Sequence, residues 1–154
     1  MVLSGTMVKQ ITIKTDGDVF HEISRSRPHH IPEMSPGLIQ NVDLHDGEWG
    51  AVGSVIFLNY VLDGKAKVAK EVIESIDEEK KSICYRFIGG DILEEYKTFL
   101  LTVHVDTKGE ENLVTWTFQY EKLNENVEDP NSLMDFCIAL TKDIENHHLS
   151  NPPK

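Results

Sequence analysis

Four groups of residues in this chain are of the types that do chemistry, and their spacing decides what each can do. Gly47, Gly50 and Gly53 recur every third residue, as in loops whose backbone amides cradle a phosphate. Such a loop also needs a Gly-Lys-Ser/Thr ending and a helix N-terminus facing the anion. Here Gly53 is followed by Ser54-Val55-Ile56, which reads as a strand, so the glycines form a structural turn. Asp16-Gly17-Asp18 has the look of a calcium-loop opening, but the twelfth position is Arg27, where that loop needs an acid. The three residues read instead as a helix N-cap. His29-His30 and His147-His148 supply imidazoles, yet adjacent residues on a helix point apart, so neither pair makes a two-ligand metal site and all four read as solvated. The second pair falls in the last turn of a helix, where a cationic side chain suits the dipole. Cys84 and Cys137 are too few for a disulfide scaffold and lack C-x-x-C spacing. Flanked by Ile83 and Tyr85, and by Phe136 and Ile138, both read as small buried hydrophobes. No Ser-His-Asp or Cys-His constellation is legible, and no metal or cofactor is expected.

Composition narrows the classes further. The 154 residues suit one domain, which buries roughly 68–70% of its unfolded surface and forms a core without staples. Acids outnumber bases 26 to 15, a formal charge of −11 without clustered basic residues, so nucleic acid and anionic membranes are unfavourable partners. There is no signal-peptide h-region, no 18-residue apolar run and no Asn-x-Ser/Thr acceptor, which together point to a cytoplasmic protein with no membrane insertion.

The elements that would position these residues are mostly strands. Met7, Ile11 and Ile13 open a first one; Val19, Phe20 and Ile23 then give a short helical stripe, and Pro28 and Pro32 stop that helix and start another. From Leu38 onward the hydrophobic period becomes two. Turn signals at Asp46-Gly47, Asp63-Gly64, Glu78-Glu79-Lys80, Gly89-Gly90-Asp91 and Lys108-Gly109-Glu110 bound β-rich runs at about 38–45, 51–62, 65–77, 82–88, 93–107 and 112–123. Val114, Trp116, Phe118 and Tyr120 share one face, and Phe99, Leu101, Val103 and Val105 do the same on the strand before. Asp129-Pro130 then starts a helix over 130–148, about 28 Å long, whose stripe of Leu133, Cys137, Leu140 and Ile144 must be covered by the sheet. The tail from Ser150 to Lys154 should be frayed. An α+β fold follows: a curved antiparallel sheet around one long C-terminal helix, closed at one end by two short helices.

With the elements in this order, four segments resemble the major latex protein (ripening-related) family of plants, a branch of the birch-pollen-allergen-like, START-like superfamily. They are Asp16 to Glu22, Gly47 to Ser54, Tyr120 to Asn124 and Met134-Asp135-Phe136, and the likeness spans residues 5–149 of a single domain. The resemblance implies a seven-stranded helix-grip fold with a large apolar cavity between sheet and helix that holds hydrophobic or amphipathic plant metabolites. It also implies which side chains face that cavity. From the sheet these are Ile56, Leu58, Tyr60, Ile83, Tyr85, Phe87, Phe99, Leu101, Val114, Trp116 and Phe118. From the helix they are Leu133, Met134, Cys137, Leu140 and Thr141, with Phe20, Ile23, Ile31 and Met34 guarding the entrance. Tyr60, Tyr85 and Thr141 would orient a ligand hydroxyl or carbonyl.

Three functions fit that reading. The leading one is a monomeric, non-catalytic carrier of small lipophiles such as sterols, flavonoids or hormones, set in stress or defence response. The second is a cavity-based enzyme of specialised metabolism. Lys70, Glu71, Tyr60 and Tyr85 are its nearest acid–base candidates, although Lys70 lies in the alternating run Lys65-Ala66-Lys67-Val68-Ala69-Lys70 that usually marks a solvated face. A buried, unpaired Lys70 would favour the enzyme and an exposed one the carrier. The third is a ligand-gated interaction module in hormone signalling, although the loops around Asp63-Gly64 and Gly89-Gly90-Asp91 are not recognisable as a gate.

Overall fold

In the computed structural model, which describes residues 3–108 and 110–150, the chain begins with strand β1 (Ser4–Ile13) and two short helices, α1 (Gly17–Ser26) and α2 (Ile31–Met34). A 3-10 turn at Pro28–His30 separates the helices. Six further strands follow: β2 (Ile39–Asp46), β3 (Val55–Leu62), β4 (Lys65–Asp77), β5 (Ser82–Gly90), β6 (Tyr96–Lys108) and β7 (Glu111–Lys122). Helix α3 (Asn131–Ser150) closes the chain. The strands form one antiparallel sheet in the order β1-β7-β6-β5-β4-β3-β2, so β1 and β2 are its edges.

Local chemistry explains the boundaries. The Asp16 carboxylate accepts from the Asp18 and Val19 amides and caps α1, as its spacing indicates. Asp63 and Gly64 both take positive φ, 52° and 75°, the left-handed pair that a tight two-residue β3–β4 hairpin needs. Two strand starts differ from the expectation. β3 begins at Val55 rather than at 51, because Ala51 to Ser54 belong to the glycine turn, where the Ser54 hydroxyl bridges the Glu48 amide and carbonyl. Gly47 sits there at φ +83°, and a Cβ would lie 2.4 Å from Ser54 Oγ, so only glycine fits. β6 begins at Tyr96 rather than at 93, because Asp91–Glu94 wind into a 3-10 turn. α3 starts at Asn131, with the Pro130 carbonyl accepting from the Met134 amide. Gly109 of the β6–β7 turn and the tail beyond Ser150 lie outside the described residues.

The inner face of the sheet alternates as expected: in β7, Val114, Trp116, Phe118 and Tyr120 are buried. Register aligns these into rows, Ile83–Val103–Trp116 and Tyr85–Leu101–Phe118, that run across β5, β6 and β7 toward α3. The same parity corrects one expectation. Cys84 falls between the inward Ile83 and Tyr85, so it is only half-buried on the outer face, whereas Cys137 is buried. Among the described residues, no helix is long and apolar enough to cross a membrane.

Candidate functional site

Between sheet and α3 lies an apolar chamber of about 100 Å³. Its walls come from β3 and β4 on one side, β5, β6 and β7 behind, α3 across the top, and α1 with the 3-10 turn at one end. Twelve of the side chains that the resemblance directs inward line it: Phe20, Ile31, Ile56, Leu58, Tyr60, Tyr85, Phe87, Leu101, Trp116, Leu133, Cys137 and Leu140. Eight others do not: Ile23, Met34, Ile83, Phe99, Val114, Phe118, Met134 and Thr141.

Packing explains the division. Phe99 meets Phe87, Tyr96, Phe118 and Tyr120 with ring centroids 5.1–5.9 Å apart, so aromatic rings fill the sheet at that end and leave it solid. Ile23, Ile83, Val114 and Met134 are core in the ordinary sense, each fully or almost fully buried away from the chamber. Met34 is half-buried on α2 and packs against that core. The result is a chamber far smaller than the large cavity expected, and below the 300–1,000 Å³ of pockets that hold a drug-sized ligand.

Two of the polar groups expected to orient a ligand are already engaged. The Tyr85 hydroxyl donates to the Ser24 carbonyl at 2.6 Å and ties β5 to α1. The Thr141 hydroxyl accepts from the Trp116 indole at 2.9 Å and donates to the Cys137 carbonyl at 2.8 Å, which fixes α3 on β7. The Tyr60 hydroxyl has no hydrogen-bond partner among the described residues, and its ring meets Phe136 edge-on at 5.6 Å. Lys70 is half-buried on the outer face of β4, its stem beside Gly89. Its neighbour Glu71 takes the opposite face, flanked in parity by Ala69 and Ile73, and lines the chamber at 7% exposure.

Glu71 is the one ionisable carboxyl on that wall, and no described residue makes a hydrogen bond to it. Burial raises its pKa to about 8. Burial, with the Glu71 charge adding to it, also pushes the Tyr85 phenol and the Cys137 thiol well up, and Tyr60 rises through burial, Asp91 and then Glu71. The thiol is therefore inert as a nucleophile at neutral pH. Ser24, Pro28, Ile39, Ala69, Val103, Phe136 and Ile144 also line the chamber. Val103 and Ile144 carried a legible signal, since they continue the inward stripes of β6 and α3.

Tyr60 and Leu133 also belong to a second, wider space of about 640 Å³ outside the chamber, between the β3–β4 hairpin, the Asp91–Glu94 turn and the segment leading into α3. Asp63, Asp91, Glu94, Glu95, Glu128 and Asp129 line it, against Lys65 and Lys67. Asp91 accepts from the Val68 amide at 2.7 Å; Asp129 pairs with Lys122 and accepts from the Tyr120 hydroxyl. At the opposite end, Trp49 of the glycine turn stacks on His29 at 4.1 Å. His29 is thus not a freely solvated histidine: burial, then the charges of His30 and Arg27, hold its pKa below the ordinary value. No group of three or more potential metal ligands is found among the described residues.

A curved sheet gripping one long helix over an apolar chamber defines the architectural class. The chain belongs to the Pathogenesis-related protein Bet v 1 family, which matches residues 2–151. The crystal structure of ginseng major latex-like protein 151 from Panax ginseng superposes with a TM-score of 0.94 at 55% identity, covering 96% of this chain and 99% of that one. MLP-like protein 31 of Arabidopsis thaliana is 45% identical over 96% of this chain and 88% of its own length. MLP-like protein 28 of the same plant is 46% identical over 96% of this chain, but the chain spans about half the length of that relative and of MLP-like protein 34. Norcoclaurine synthase from Thalictrum flavum, solved with dopamine and hydroxybenzaldehyde, shares the fold alone, with 18% identity and a TM-score of 0.78.

Proposed function

We propose that the protein binds and carries a small amphipathic lipophile, with its apolar part in the chamber and its polar part in the outer space. The observation that carries this reading is the chamber itself, walled almost wholly by apolar side chains yet unfilled between sheet and α3. Burial there contributes about 25 cal/mol for each Å² of apolar ligand surface, before the costs of ordering. The 100 Å³ chamber is too small for a whole sterol or flavonoid, so such a ligand would extend past Tyr60 and Leu133 into the 640 Å³ space, or would widen the chamber by moving α3. The major latex-like relatives and the family's description as pathogenesis-related support a carrier set in stress or defence response. The form proposed is a cytoplasmic monomer.

Catalysis is the weaker reading. The outward Lys70 removes one of its candidates from the chamber, and Tyr85 is committed to Ser24.

The test is titration with the uncharged dye 1,6-diphenylhexatriene, paired with native mass spectrometry of protein from its own tissue. Saturable one-to-one enhancement, lost in a Leu140→Trp variant that fills the chamber, supports the carrier. A dye that stays dark, together with a protein carrying no released lipophile, overturns it.

A further inference from the structure

Within that carrier reading, on which this inference rests, we infer that the ligand is a lipophilic amine whose ammonium group is held by Glu71. Three observations converge. Glu71 is a carboxyl group more than nine-tenths buried, facing the chamber from the middle of β4, and no described residue hydrogen-bonds to it. A buried carboxyl without a partner is costly, and the groups around it do not relieve that cost. The Tyr85 hydroxyl is turned to Ser24, and the remaining neighbours on β3, β5, β6, β7 and α3 are apolar apart from Tyr60 and Cys137. No described residue supplies a donor to it, and a donor on the ligand would.

The second observation concerns sign. The outer space, which shares Tyr60 and Leu133 with the chamber, is lined by six carboxylates against two lysines, on a chain of formal charge −11. A cleft of one sign concentrates ligands of the other and repels those of its own, so a carboxylate or phosphate ligand is opposed beside the chamber. The third is the phenol of Tyr60, which lines both spaces, has no hydrogen-bond partner among the described residues and gives an ammonium a second acceptor besides Glu71.

Proton balance makes this specific. Glu71 is mostly protonated at pH 7, because burial holds its pKa at about 8. An ammonium ligand pairs with the carboxylate, so binding drives the Glu71 proton into solvent, one proton per ligand. Tyr60 of β3, Tyr85 of β5 and Cys137 of α3 face the same space, and all three are pushed up by burial, so none ionises between pH 6 and 9. The affinity of an amine then rises about tenfold per pH unit up to about 8 and levels off above it.

The experiment is calorimetric titration of the full chain with 4-phenylbutylamine, 4-phenylbutan-1-ol and 4-phenylbutyrate, from pH 6 to 9. The amine is expected to bind at least tenfold tighter than the alcohol at pH 8.5, with butyrate weakest. The amine alone should gain affinity with pH below about 8, and buffers of different ionisation enthalpy should report about one proton released near pH 6, falling toward none by pH 9. Glu71→Gln should bring amine and alcohol to equal affinity and abolish the slope. The wild-type slope tests the inference even where that variant folds poorly. Alcohol binding that equals amine binding at every pH overturns the amine inference and leaves the carrier intact. Failure of all three ligands to bind overturns both.

Discussion

Replacing Glu71 by glutamine should stabilise the protein, and increasingly so as pH rises. Glutamine has nearly the shape of a protonated carboxyl but cannot ionise. In the folded protein Glu71 holds its proton up to about pH 8, against an ordinary value of 4.5. Its pKa is raised on folding, so its contribution to stability is fully present below the unfolded value and is lost as pH climbs through the folded one. Between pH 5.5 and 8.5 the folded state retains a proton that the unfolded chain has already released over most of that range. The integrated difference is about 2.3 pH units, or about 3 kcal/mol. Working above pH 5.5 also keeps the protein away from its isoelectric point of about 5.0.

The assay is urea unfolding of wild type and Glu71→Gln side by side at half-unit steps of pH. Every other titrating group is common to the two proteins and cancels in the difference. The gap in unfolding free energy should widen by about 3 kcal/mol in favour of glutamine from pH 5.5 to 8.5, and flatten above that. Parallel profiles would refute the reasoning, because they would mean that the carboxyl is hydrated or paired in solution and not isolated in an apolar wall. A gap that widens in the other direction would mean an ionised Glu71 with a favourable partner.

Other perturbations test the framework of the site. Thr141→Val keeps the side-chain volume but strands the Trp116 indole N–H in a fully buried position, and should cost about 1–3 kcal/mol in chemical unfolding. Phe99→Ala removes the ring at the centre of the aromatic fill; it should cost about 3–5 kcal/mol, while the enlarged chamber raises diphenylhexatriene fluorescence in whatever fraction stays folded. Asp16→Ala should lower stability by about 1 kcal/mol through loss of the α1 cap, with lipophile binding unchanged by calorimetry.

Most of the frame was legible because it is written in local chemistry. The Asp63-Gly64 pair calls for a tight hairpin, and its positive φ values show why. The alternation in β6 and β7 assigns an inner face without ambiguity, and the antiparallel register then carries that face across the sheet. The pairing of β1 with β7, which joins Ile11 to Val114, had no such local marker and comes from the structure alone. Inward direction, moreover, is not the same as lining a space. Leu101 and Phe99 share one face of one strand, yet Leu101 meets the chamber while Phe99 sits among other rings. What separates them is where α3 and the neighbouring aromatics press on the sheet, and that depends on residues far away in the chain.

β4 shows the same limit in its sharpest form. The run Lys65-Ala66-Lys67-Val68-Ala69-Lys70 draws attention to its cations, and Lys70 stands next to Glu71 as though the two formed one catalytic pair. Period two forbids it: adjacent residues on a strand take opposite faces, so an inward Glu71 requires an outward Lys70. The signal that identifies Glu71 was therefore present in the alternation Ala69, Glu71, Ile73, an acid at a position where its two inward neighbours are apolar. Such a placement has no structural benefit, since an isolated carboxyl costs more to bury than the alanine or isoleucine beside it. Thr141 and Tyr85 are polar inward groups too, but each stabilises the fold through a hydrogen bond, and each is explained by it. Glu71 has no such bond among the described residues, and the ammonium of the proposed ligand is what would supply one at that point in the wall.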